Sequence, residues 1–317
     1  MNREGYDRAF TAALIAAAST MANLIPPSIM AVVYGATGNV SIGGLFLGGV
    51  VPGLLVGIGL MIYSHFFGPV GTKRQRASFG AFSQATKEAA IPLVIPIIIM
   101  GGILTGQFTP TEAGVIAVAY IVFFAIPVLN VRHLRNLPRD FAMTGLLYSI
   151  PLITIGAAAV FGWMLAYLRG PAVVSDWIAT AAGNDPFLIM LLLVALFVVV
   201  GDFIDAIPAI IIFMPIITDL SKNADINPVH MGVVIIVTLA FGLITPPYGL
   251  CLLMAAKFVD IGFGKAMMAS LPLYIVFFAA IAFCIFFPDV VLWLPKQLLP
   301  ESVGCFKNPS GAGYICP

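Results

Sequence analysis

Gly242-Leu243-Ile244-Thr245-Pro246-Pro247-Tyr248-Gly249 interrupts an apolar run that otherwise extends from Val229 to Ala256. Consecutive prolines remove two amide donors and clash with the preceding turn, so a helix entering this stretch breaks and leaves carbonyl oxygens without intrahelical partners. The same device stands 220 residues earlier, where Asn23-Leu24-Ile25-Pro26-Pro27-Ser28 interrupts the run from Phe10 to Tyr34. Both copies have a polar approach (Gly5-Tyr6-Asp7 and Asp225-Ile226-Asn227-Pro228), an apolar half-helix, the break, and a second half-helix. Interrupted hydrophobic segments at matching places in two halves are the sequence pointer to a secondary transporter.

Composition agrees. Of 317 residues 61% are hydrophobic and 9% charged, with 23 prolines and a mean hydropathy of +1.06. Soluble domains carry about 25% charged residues, so this chain cannot cover a water-facing surface, which excludes soluble enzymes. A net charge of +1 supplies no field for nucleic acid. Long apolar runs, rather than alternating ten-residue segments, predict an all-α polytopic membrane protein.

Nine runs are span candidates: Phe10 to Tyr34, Ile42 to Phe67, Ala89 to Leu104, Thr111 to Leu129, Phe141 to Leu168, Phe187 to Val200, Ala206 to Leu220, Val229 to Ala256 and Lys265 to Phe287. Phe187 to Val200 and Ala206 to Leu220 are too short to cross alone and are separated only by Gly201-Asp202-Phe203-Ile204-Asp205. They read as a re-entrant hairpin with its tip inside the membrane. Lys73, Arg74, Arg76 and Lys87 lie after the second span, and Arg132, Arg135 and Arg139 two spans later. These loops are assigned to the cytoplasm, which makes the two broken helices run in opposite directions. The repeats are therefore inverted. No cleavable signal is read at the amino terminus.

Asp202 and Asp205 are the carboxylate pair expected deep in the membrane. An ionised carboxylate there usually faces a cavity, a cation or a proton path. With the break at Gly242 to Pro247 they would form a cation site, Thr245 and backbone carbonyls adding oxygens. The plainer reading makes Asp205 the N-cap of the helix from Ala206 and Asp202 a cap or vestibule residue. Asn23 and Ser28 flank the other break and would add oxygens, or else only join helices. Half-helices beginning near Ser28 and Tyr248 direct positive dipole ends inward, which suits an anionic solute.

Thr109-Pro110-Thr111-Glu112 matches a capping box. His65, His133 and His230 read as interfacial residues, and Cys251 and Cys284 as packing thiols. Cys305 and Cys316 share a polar tail on the outer face, where a disulfide is one outcome. Leu47-Gly48-Gly49-Val50-Val51-Pro52-Gly53 lacks the lysine of a phosphate loop and reads as helix packing with a proline kink. Tyr6-Asp7 with Gly201-Asp202 touches the pattern of intramembrane aspartyl proteases. Position 199 is Val where that pattern needs Gly, and Asp7 precedes its helix.

Taken in order, Gly5-Tyr6-Asp7, Ile25-Pro26-Pro27-Ser28, Tyr34-Gly35, Ser41 to Leu45, Pro52-Gly53, Gly106 with Thr109 to Ala113, Gly201 with Asp205, Pro208 to Ile211, Asn227 to His230, and Gly242 with Thr245-Pro246-Pro247 resemble the large permease subunit of the tripartite ATP-independent periplasmic (TRAP) transporters. The resemblance implies an inverted-repeat, elevator-type, sodium-coupled importer of carboxylate-bearing solutes, of dicarboxylate or sugar-acid type, in the bacterial inner membrane. It implies two partners, a small membrane subunit and a periplasmic binding protein, with sodium as coupling ion and no prosthetic group. Sodium would sit where hairpin tip meets broken helix, at Gly201, Asp205, Gly242 and Thr245. The wider ion- or solute-binding set adds Asn23, Ile25, Pro26, Ser28, Asp202 and Pro246, of which Asp202 lies outside the family's pattern. An ion-coupled anion symporter that needs no binding protein is the alternative within the same fold.

The family's pattern places a hairpin before the first broken helix, and Met1 stands where that pattern has an internal methionine. The expectation is a chain lacking the amino-terminal part of the subunit. It divides into residues 1–67 (remainder of the first repeat), 68–140 (connecting helices), 141–288 (second repeat) and 289–317 (tail).

Overall fold

The computed structural model describes residues 1, 5–68, 78–183, 185–307 and 314–315, the side chains of Ile150, Phe306, Lys307, Tyr314 and Ile315 excepted. Fourteen α-helices account for most of them, with a two-residue antiparallel bridge pairing Phe306–Lys307 with Tyr314–Ile315. Six helical segments are long and apolar enough to cross a membrane. The chain divides into two compact units, Met1–Gly71 with Ala157–Pro317, and Thr72–Gly156.

In the first unit both proline pairs break their helices as expected. Asp7 accepts from the Phe10 amide (2.9 Å) and opens α1 (Arg8–Thr20). A 3-10 turn, Met21–Asn23, leads through the prolines to α2 (Ile29–Gly38), whose N-cap Ser28 accepts from the Ala31 amide. Asn227 accepts from the Val229 and His230 amides and opens α11 (Pro228–Gly242), which ends at the second break before α12 (Leu250–Phe258). The Pro26-Pro27 and Pro246-Pro247 bonds are both cis. Each repeat thus comprises a capped half-helix, a break and a shorter half-helix.

Every residue of α11 from Val229 to Gly242 is buried. A helix apolar on all sides belongs in a core, and α3 (Ile42–Phe67), α9 (Pro186–Phe203), α10 (Ala206–Asn223) and α13 (Phe263–Phe286) pack around it. The small residues Ala12, Ala13, Ala16 and Ala17 of α1 are buried where α12 and α13 pack. Small side chains let backbones approach closely, the usual glue between helices in lipid.

The glycine-bearing stretch of α3 is helical, with Pro52 inside it, and serves packing as expected. A Cβ on Gly49 would lie 2.5 Å from the Leu24 carbonyl oxygen, and one on Gly53 2.6 Å from Ile25 Cγ1. The first break is seated on these glycines. Gly49→Ala is expected to lower stability by about 1–3 kcal/mol, because its methyl meets backbone rather than a yielding side chain. Thermal unfolding in detergent checks it, and Gly264→Ala, with nothing within 4 Å, is the neutral control.

Four expectations need correction. Helices α9 and α10 are 18 residues each, about 27 Å long. Polar Asp202 and Lys222 stay helical at their ends, so both helices reach the lower limit for spanning and shortness no longer argues for re-entrance. The stretch between Leu168 and Phe187, outside every span candidate, is largely α8 (Gly170–Ala182), and the tail after Phe287 opens with α14 (Pro288–Leu298), packed on α3. His230 is buried, not interfacial, its Nε2 2.8 Å from the Cys284 carbonyl oxygen. Cys251 and Cys284 carry free thiols, as read, and Cys305 is disulfide-bonded. Cys316 lies outside the described residues.

The second unit holds α4 (Phe79–Leu104), α5 (Pro110–Tyr120), a π-helical stretch Ile121–Ala125, α6 (Ile126–Asn130), a 3-10 turn Val131–Asn136 and the first part of α7 (Leu137–Tyr167). The capping box forms: the Thr109 amide donates to Glu112 Oε2 (2.8 Å) and the Glu112 amide to Thr109 Oγ1 (3.3 Å). Lys87, read as part of a loop, lies within α4. Lys73, Arg74 and Arg76 fall outside the described residues.

Candidate ion and solute site

The hairpin joins α9 to α10 through Ile204 and Asp205, and its tip meets the second break. Gly201 and Gly242 touch backbone to backbone: a Cβ on Gly242 would stand 2.7 Å from the Gly201 oxygen and 2.9 Å from its Cα. Only a hydrogen fits at 242. That closeness brings Asp202 to both sides of the proline pair. Thr245 Oγ1 donates to Asp202 Oδ1 (2.5 Å), and the Tyr248 amide donates to the Asp202 carbonyl oxygen (3.0 Å). Asp202, read as a candidate cation-site carboxylate or else a cap or vestibule residue, holds the break from both ends.

Asp205 is the N-cap of α10, as expected, its Oδ1 accepting from the Ala206 amide (2.8 Å). Capping occupies one carboxylate oxygen and leaves the charge at the tip. Within the break the Leu243 carbonyl accepts from the Cys251 amide (3.0 Å) and the Ile244 carbonyl from Tyr274 Oη (3.1 Å). The Gly201 and Thr245 carbonyl oxygens accept no hydrogen bond among the described residues. Unpaired carbonyls at a helix break need water or a cation. Tyr274 escaped the sequence reading, although a tyrosine in an apolar span must place its hydroxyl somewhere.

The first break is organised differently. Ser28 Oγ donates to the Asn23 carbonyl (2.6 Å) while accepting from Ala31. That carbonyl, expected to be free, is therefore occupied. Leu24 and Ile25 rest on α3, and no hydrogen bond among the described residues joins Asn23, Ile25, Pro26 or Ser28 to the hairpin tip. Of the sequence-derived set, the structure brings together Gly201, Asp202, Gly242 and Thr245, with Asp205 at the same tip and Pro246 in the cis bond. No group of three or more His, Cys, Asp and Glu gathers as a metal centre among the described residues. The protease pattern has no support in the geometry either, since Asp7 caps α1 from outside it.

Two discontinuous helices, one gripped by a helical hairpin, define a membrane transporter of the broken-helix class. Residues 1–290 match the family model for the tripartite ATP-independent periplasmic transporter, DctM component. The chain belongs to this family of TRAP large permease subunits, which are transporters of the bacterial inner membrane rather than enzymes. It is 34% identical to the sialic acid TRAP transporter large permease protein of Vibrio cholerae, an alignment covering 93% of this chain and 69% of that one. Identity is 33% to the C4-dicarboxylate permease protein of Pseudomonas aeruginosa, over 94% and 70% of the two chains. It is 30% to the ectoine/5-hydroxyectoine permease protein of Ruegeria pomeroyi, over 93% and 69%.

Proposed function

We propose that this chain is the permease subunit of a sodium-coupled importer of a carboxylate-bearing solute, with the ion held between the hairpin tip and the second break. The observation that carries this reading is the pair of unpartnered carbonyls, Gly201 and Thr245, beside the charged N-cap Asp205. Unwound backbone carbonyls are the usual sodium ligands of broken-helix transporters, and one carboxylate balances one cation. The Thr245 hydroxyl spends its hydrogen on Asp202, so its lone pairs stay available.

The half-helix starts at Ile29 and Leu250 supply positive dipole ends for an anionic solute. The relatives' names include sialic acid, C4-dicarboxylates and ectoine, each bearing a carboxylate, and also isethionate, a sulfonate. A binding protein and a small membrane subunit complete a tripartite system. The hairpin and both breaks belong to one compact unit, which is what elevator-type movement of an intact site requires.

The test is thermal unfolding of the purified chain in detergent, with sodium, potassium or choline chloride at equal ionic strength. Sodium is expected to raise the midpoint saturably, since ligand at 100 times its Kd adds about 2.7 kcal/mol. Equal midpoints in the three salts would overturn the reading.

A further inference from the structure

We infer that Tyr274 is a positioning residue of the cation site, an inference that rests on the sodium reading above. The carbonyls through the break can be followed one by one. Phe241 O accepts from the Ile244 amide (3.0 Å), Gly242 O from the Thr245 amide (3.3 Å), and Leu243 O from the Cys251 amide (3.0 Å). Each of these is closed by main chain of the broken segment itself. Ile244 O is closed from outside it, by Tyr274 Oη on α13 (3.1 Å). Thr245 O, the next in line, is the one offered to the ion.

Tyr274 is built to hold that position. Its ring meets Phe241 edge-on at 5.1 Å, and Ser270 Oγ, fully buried, stands 3.3 Å from its hydroxyl. Ser270 Oγ gives its own hydrogen to the Met267 carbonyl (2.8 Å), and the Tyr274 hydroxyl gives its hydrogen to the Ile244 carbonyl. Neighbouring peptide planes are linked through one Cα, so fixing the Ile244 carbonyl restricts where the Thr245 carbonyl can turn. Selectivity among cations depends on how many carbonyls surround the ion and how firmly they are held. With Tyr274 in place Ile244 O is withheld from the ion; without its hydroxyl, a second, unfixed carbonyl competes.

The test compares Tyr274→Phe with wild type for sodium and lithium, each titrated against the unfolding midpoint in choline chloride. Tyr274→Phe is expected to weaken sodium roughly tenfold, the scale of one hydrogen bond, and to narrow the sodium-to-lithium preference. Its midpoint in choline alone should fall as well, because the buried Ile244 carbonyl is orphaned, so each variant's sodium and lithium responses are read against its own choline midpoint. Ser270→Ala, which removes the neighbouring hydroxyl and leaves the bond from Tyr274 to Ile244, should keep both readouts near wild type. Wild-type sodium affinity and preference in Tyr274→Phe would overturn the role of Tyr274 alone. A wild-type chain indifferent to sodium would overturn both the role and the sodium reading.

Discussion

Gly242→Ala is expected to remove the sodium-dependent rise in unfolding midpoint and to lower the midpoint in choline, while Gly201→Ala leaves both nearly intact. The asymmetry comes from where each new methyl would point. At 242 it meets the oxygen, carbon and Cα of Gly201 at 2.7, 2.8 and 2.9 Å, all backbone atoms that cannot rotate aside. At 201 its nearest neighbours lie at 3.5 Å, ordinary van der Waals distance. Relieving the clash at 242 means lifting the hairpin tip off the break, an overpacking cost of about 1–3 kcal/mol. It also carries Gly201 O and Asp202 away from Thr245. Equal behaviour of the two variants would show that the tip is not seated on α11.

The second large effect separates two roles of Asp205. Asparagine caps a helix as well as aspartate does, so Asp205→Asn keeps the bond to the Ala206 amide and discards only the charge. The expected outcome is a choline midpoint close to wild type with a sodium affinity weakened up to a hundredfold, since a charge-assisted contact is worth about 1.5–3 kcal/mol. Asp205→Ala should lose the cap as well, about 1 kcal/mol of stability in choline. If Asp205→Asn binds sodium as wild type does, the residue is a cap and nothing more.

What could be read in the sequence depended on whether the cause was local. Proline pairs act on their own helix, so both breaks could be placed to the residue. Asp7, Ser28, Thr109, Asp205 and Asn227 cap the helices that follow them by bonds spanning one to three residues. Helices α8 and α14 were not legible as spans are: at 13 and 11 residues, with mixed polarity, they lack the long apolar run that marks a span. His230 was misread because its partner, the Cys284 carbonyl, lies 54 residues away. The Asp202 to Thr245 bond bridges 43 residues and the Tyr274 to Ile244 bond 30. Nothing in a linear reading weighs such pairs against the apolar background around them.

The two bonds that Asp202 makes to the break differ in how they withstand mutation. Its carboxylate grips Thr245 and is lost with any residue that lacks a side-chain acceptor, but its carbonyl, which receives the Tyr248 amide, belongs to the chain whatever side chain is attached. Drift at position 202 therefore costs at most half of the clamp and never all of it. Position 248 is less forgiving of one residue alone, since proline there would delete the amide. The hairpin's hold on the broken helix is thus partly written in the main chain, where substitution can weaken it in steps while the tip stays seated. A lineage could in this way retune how firmly the tip is held without first abandoning the fold that holds it.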